Sequence, residues 1–148
     1  MKKSFAFIIA LLFYATLLSA QTKQARSSEW RKEMREYKHS LLVKEMGLSG
    51  ESKEKFIKLY SAMEDEIYSA NSEARLYASK VASNQSPSDA EFEKAAEGLI
   101  EAKTKEAQIE SSYFEKFKSF LSKKQLFQLK NAENKFAKSM ISHRKKQQ

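Results

Sequence analysis

The chain has 148 residues, a formal net charge of +8, no cysteine, three glycines and one proline. Without cysteine neither a disulfide nor a cysteine-linked lipid anchor is available. So few glycines, prolines and β-branched residues exclude a turn-rich sheet protein and leave long helices around one core of modest size.

The first residues read as a targeting segment. Lys2 and Lys3 precede the apolar run Phe5–Leu18, FAFIIALLFYATLL, which is followed by Ser19, Ala20 and Gln21. A basic start, a short apolar core and a small residue at the cut predict a secretory leader cleaved after Ala20. The run is shorter than the ~20 residues of a membrane span, so membrane attachment is expected only through an uncleaved leader. The expected organisation is a leader over 1–20, a single helical domain over 21–142 and a basic flexible tail over 143–148. Beyond the leader the net charge is +6, because the leader carries two bases and no acid.

Four helices are predicted in chain order. Ser27 or Ser28 caps the first, whose stripe Trp30, Met34, Tyr37, Leu41 has the three- and four-residue spacing of one helical face. Gly47 suits a left-handed stop after Met46. A second helix follows Ser49 and carries Phe56, Tyr60, Met63, Ile67, Ala70, Ala74, Tyr77 and Val81 to about Ala82, a rod roughly 50 Å long at the helical rise.

The polar stretch Ser83–Asp89 is a loop. Pro87 suits a first helical position after Ser86, and Ser88 with Glu91 offers an alternative capping box. The third stripe is Phe92, Ala95, Leu99, Ala102, Ile109, Tyr113, Phe117 and Phe120, with Glu106 where an apolar residue is expected. The fourth is Leu126, Leu129, Ala132, Phe136 and Met140, before a basic tail from His143.

Two short signals punctuate these helices. In Leu121-Ser122-Lys123-Lys124-Gln125 the serine hydroxyl accepts from the Gln125 N–H while the Gln125 side chain reaches back to the Ser122 N–H. Such a cap is worth ~1 kcal/mol, holds a sharp bend and leaves Leu121 to pack before it. Leu48-Ser49 is expected to do the same between helices one and two, although Ser52 stands where a glutamine would complete the box. The result is an all-α, elongated four-helix protein: a long antiparallel hairpin joined near Pro87, with short flanking helices.

Charge is uneven along these elements. Residues 21–49 sum to +3, 50–84 to −1, 85–120 to −3 and 121–148 to +7. The last segment carries more positive charge than the mildly acidic hairpin neutralises, which leaves a basic face for a partner.

The order and spacing of Leu48-Ser49, of FIKLYSAMEDE at Phe56–Glu66 and of FKSFLSKKQLFQLKNAENKF at Phe117–Phe136 resemble the Spy/CpxP-like exported proteins with two Leu-Thr-x-x-Gln motifs. The likeness is to versions common in Bacteroidetes and runs from about Trp30 to Met140. Matched residue by residue, the second motif is Leu121, Ser122 and Gln125, and the first is Leu48 and Ser49. The resemblance implies a thin, curved helical protein, in many relatives a homodimer, whose basic surface holds unfolded envelope proteins without ATP. Relatives also act in envelope-stress signalling or metal sensing.

The chemistry-bearing residues do not suggest catalysis. His39 and His143 lie far apart, and each reads as a solvated surface histidine. Glu93, Glu97 and Glu101 share one face with Lys94 and Lys105 nearby and read as a solvated face. Glu106 and Glu110 are the only acids placed to watch for a metal, and Met34, Met46, Met63 and Met140 read as core rather than as soft copper ligands. Asn84-Gln85-Ser86 matches a glycosylation pattern but reads as a polar loop.

No nucleic-acid motif accompanies the basic segment Lys123–Lys146, and export separates it from that partner. Of the aromatic set Phe114, Phe117, Phe120, Phe127 and Phe136, some rings are expected to face outward beside lysines, since a fold two helices thick cannot hide them all. The sequence therefore predicts a non-enzymatic periplasmic binding protein with no cofactor and no metal. It is expected to capture unfolded envelope proteins through Lys123, Lys124, Phe127, Lys130, Lys135 and Lys138. A periplasmic metal-sensing or signalling regulator is the alternative.

Overall fold

The computed structural model of the chain describes residues 28–145, with side chains placed through residue 142. The expected leader and the last three residues lie outside them. Among the described residues there are four helices and no strand: α1 over 28–46, α2 over Gly50–Ser83, α3 over Asp89–Lys118 and α4 over Lys123–Lys145. α4 thus continues past the expected start of the tail at His143. The chain divides into one unit ending at Leu42 and another beginning at Val43.

In the first unit, the stripe read from Trp30, Met34, Tyr37 and Leu41 is displaced. Trp30 and Tyr37 are about half exposed, whereas Leu42 is fully buried and His39 is 8% exposed. His39 is therefore a buried residue, not the solvated one that the sequence suggested. Leu41 and Leu42 are neighbours, so two rows satisfy the same spacing, and the amphipathic aromatics tolerate the wetter one.

In the second unit, α1 ends as the sequence predicts. Gly47 adopts φ +65°, its N–H bonds to the Lys44 carbonyl at 3.2 Å, and the Leu48 N–H bonds to the Val43 carbonyl at 3.0 Å. This is the Schellman pattern, in which a left-handed glycine lets the last carbonyls find donors. The next expectation is corrected. Ser49 precedes α2 without a side-chain cap bond, Gly50 is a second left-handed residue at φ +53°, and the Ser52 hydroxyl donates to the Ser49 carbonyl at 2.8 Å. A serine at the third helical position is too short to reach back as glutamine does, and two glycines make this bend instead.

α3 begins at Asp89. Ser88 is its cap, receiving the Glu91 N–H on its hydroxyl at 3.3 Å while its own N–H donates to the Glu91 carboxylate at 2.8 Å. Pro87 consequently stands before the cap and not at the first helical position. At the other end the Leu121 bend is the reciprocal box predicted: the Gln125 N–H donates to the Ser122 hydroxyl at 3.2 Å, and the Ser122 N–H to the Gln125 side-chain oxygen at 2.9 Å. Gln125 also donates from its amide nitrogen to the Met46 carbonyl at 3.4 Å. Its one side chain therefore caps α4 and takes up an end carbonyl of α1.

α2 and α3 form an antiparallel hairpin. Phe56 meets Phe117 with ring centroids 5.5 Å apart, Asn71 meets Glu106, and Lys94 lies over the Tyr77 ring, so residue numbers rise along one helix as they fall along the other. Toward the ends nearest α4 the core is large: Phe56, Tyr60, Phe117 and Leu129 are almost fully buried. Toward the loop it is small, made of Ala95, Ala102, Val81 and the amide of Asn71. Phe92 and Leu99, expected inside, are 52% and 41% exposed. A single partner helix covers a narrower stripe than the sequence pattern offers. Glu106, out of place in the apolar pattern, accepts from Asn71 at 3.1 Å and from Lys103 at 3.3 Å, supplying the partner that a buried carboxamide requires.

Candidate binding surface

α4 has two faces of different character. Leu126, Leu129 and Ala132 are buried, with Phe136 and Met140 partly covered. On the opposite side Phe127 is 67% exposed and Ile141 59% exposed. Between them Asn131, Asn134 and Lys138 are also exposed. Positions 127, 131, 134, 138 and 141 follow the four- and three-residue spacing that returns to one helical face, and Lys123 and Lys124 extend the row at its start. No acid stands in this row. The only acid of α4 is Glu133, which points elsewhere.

Glu133 is occupied internally. Its carboxylate accepts the Tyr60 hydroxyl at 2.8 Å and the Lys130 ammonium at 2.6 Å, and Lys130 also lies 3.7 Å from Glu110. Burial, reinforced by the adjoining Glu133 charge and hydrogen bond and by the charges of Glu64 and Glu110, holds the Tyr60 phenol far above its ordinary value. Tyr60 thus remains a neutral donor. Burial draws the Lys130 ammonium downward, but Glu133 and Glu110 outweigh it and leave its pKa raised. Glu110, Lys130 and Glu133 border an open groove of about 350 Å3, lined also by Met63, Phe114, Phe117 and Leu129.

The six predicted binding residues therefore separate. Phe127, Lys123, Lys124 and Lys138 are exposed, and no acid pairs with these three lysines among the described residues. Lys130 is spent on Glu133 and Glu110, and Lys135 on Glu45 at 2.7 Å. Of these three pairs, Lys130–Glu110 and Lys135–Glu45 link elements that sequence spacing alone does not bring together, whereas Lys130–Glu133 lies within α4. Of the motif residues, Leu48 and Leu121 are buried, Ser122 and Gln125 cap α4, and Ser49 makes no cap bond.

Sequence reasoning passed over Gln128, Asn131, Asn134 and Ile141. Gln128, Asn131 and Asn134, with Glu45, Lys135 and Lys138, line a shallow depression of about 280 Å3. The signal that finds most of them is the helical spacing counted outward from Phe127, away from the core stripe.

Among the described residues no three potential metal-ligating side chains of histidine or acid type stand together, and Glu106 and Glu110 are engaged with Asn71, Lys103 and Lys130. Met46 and Met63 are buried, Met34 and Met140 partly so. Glu93, Glu97 and Glu101 are exposed, and Glu101 pairs with Lys105 at 3.0 Å. No described helix is long and apolar enough to cross a membrane. No family model, curated protein or solved structure matches the chain.

Proposed function

We infer that the protein is a non-enzymatic, exported binding protein of the Spy/CpxP-like kind, which captures unfolded envelope proteins in the periplasm. The observation that carries this reading is the outward row of α4, where Phe127 and Ile141 stand exposed among Lys123, Lys124 and Lys138, lysines without acidic partners among the described residues. Adjacent apolar and cationic groups attract chains that expose hydrophobic side chains and carry net negative charge. Contact of this kind is weak and reversible, as release without ATP requires.

The purified protein is expected to suppress the aggregation of a denatured acidic client, measured by light scattering, and to do so less well as salt screens the lysines. Absence of suppression at several-fold molar excess would retire the capture reading. The alternative, a metal-sensing or signalling regulator, predicts tight binding of zinc, copper or nickel in titration calorimetry, which capture does not require.

A further inference from the structure

The outward row of α4 is more specific than a sticky basic patch. Asn131 and Asn134 within the row, and the half-buried Gln128 beside it, present three carboxamides along one depression, and none of them hydrogen-bonds to another described residue. Each carboxamide offers both donors and an acceptor, which is the complement of a peptide group. Peptide groups in a helix or sheet are already paired, so only an unfolded, extended segment has them to give.

Phe127 and Ile141 bracket the amides. They are fourteen residues apart, about 21 Å at the helical rise, the length spanned by about six residues of extended chain. Lys138 lies within this interval, and the only carboxylate lining the depression, that of Glu45, is already held by Lys135. The unspent charge along the row is therefore positive.

We propose that this row is a docking strip for one extended, acidic segment about seven residues long. Two apolar side chains of the segment rest on Phe127 and Ile141, its backbone pairs with the carboxamides, and its carboxylates face Lys138 and the lysines that begin α4. This deepens the capture reading and rests on it for the identity of the partner as an unfolded chain.

The test uses the full chain and a fluorescein-labelled peptide with two leucines about six residues apart and aspartates and glutamates between them. Fluorescence anisotropy is expected to show binding that weakens roughly tenfold in Lys138→Glu and again in the Phe127→Ser, Ile141→Ser pair. Binding is expected to persist in the charge-matched control Lys80→Glu. Circular dichroism checks that these exposed substitutions leave the helices intact, and Asn131→Ala with Asn134→Ala supplies a milder variant of the strip.

A peptide with the leucines adjacent, or with lysines replacing the acids, is expected to bind poorly. Equal binding of all these peptides, or equal binding by all variants, would overturn the strip. So would attachment to phosphatidylglycerol vesicles without peptide binding, which would make the face a lipid surface. Aggregation suppression is measured in the same variants. If it survives loss of the row, capture stands and the strip is wrong. If the wild-type protein binds the peptide yet suppresses no aggregation, the strip stands and the capture reading fails.

Discussion

At Gly47 the backbone lies at φ +65°, and an added Cβ would meet no atom within 4 Å. At Gly98, inside α3, the backbone is helical and the nearest atom to an added Cβ is the Ala74 Cβ at 4.0 Å, an ordinary contact. Space is available at both, so conformation alone decides the outcome. Gly47→Ala forces an L-residue into the left-handed region and is expected to cost about 1–2 kcal/mol. Gly98→Ala restricts the unfolded chain while suiting the helix and is expected to add about 0.5–1 kcal/mol. Urea denaturation of the two variants checks both signs. A destabilised Gly98→Ala would mean that α2 and α3 approach more closely there than 4.0 Å.

The two Leu-Ser bends ask the same question of an element. Ser122 accepts a backbone N–H and Ser49 does not, so Ser122→Ala is expected to cost ~1 kcal/mol and Ser49→Ala less than about 0.5 kcal/mol. Gln125→Ala should exceed Ser122→Ala, because it also strands the Met46 carbonyl. Equal shifts of the denaturation midpoint at the two serines would show that cap geometry is not what the bends depend on. The second box was legible in the sequence because its partners are three residues apart. The first was not, since a left-handed Gly50 between Ser49 and Ser52 changes the local path. The helices themselves were legible in their spacing. Which row of each is covered was less so: Leu42 displaced Leu41, and Phe92 and Leu99 stayed outside, because coverage depends on how many partners a helix meets. The pairs Lys130–Glu110 and Lys135–Glu45 were illegible for the same reason, since those acids lie on other elements; only Lys130–Glu133 has a spacing that the sequence displays.

From Val43 onward, the molecule distributes its stability unevenly. Near α4 the hairpin buries Phe56, Tyr60, Phe117 and Leu129, and three rings lie within 6.3 Å of one another. Toward the loop only small side chains are enclosed, and Leu76, Leu99 and Ile100 remain exposed. Hydrophobic stabilisation follows the apolar area removed from water, so the loop half should open without the aromatic half. Native-state hydrogen exchange is expected to show the strongest protection at residues 56–63 and 113–117 and weaker protection at 76–83 and 92–100. Asn71 and Glu106 stand between the two regions. Glu106→Leu leaves the Asn71 amide, 3% exposed, without its acceptor, at a cost of about 1–3 kcal/mol. That loss should appear as faster exchange in the loop half while the aromatic half keeps its protection. If both halves lose protection equally, the hairpin opens as one cooperative body and the small-residue end is no weaker than the aromatic one.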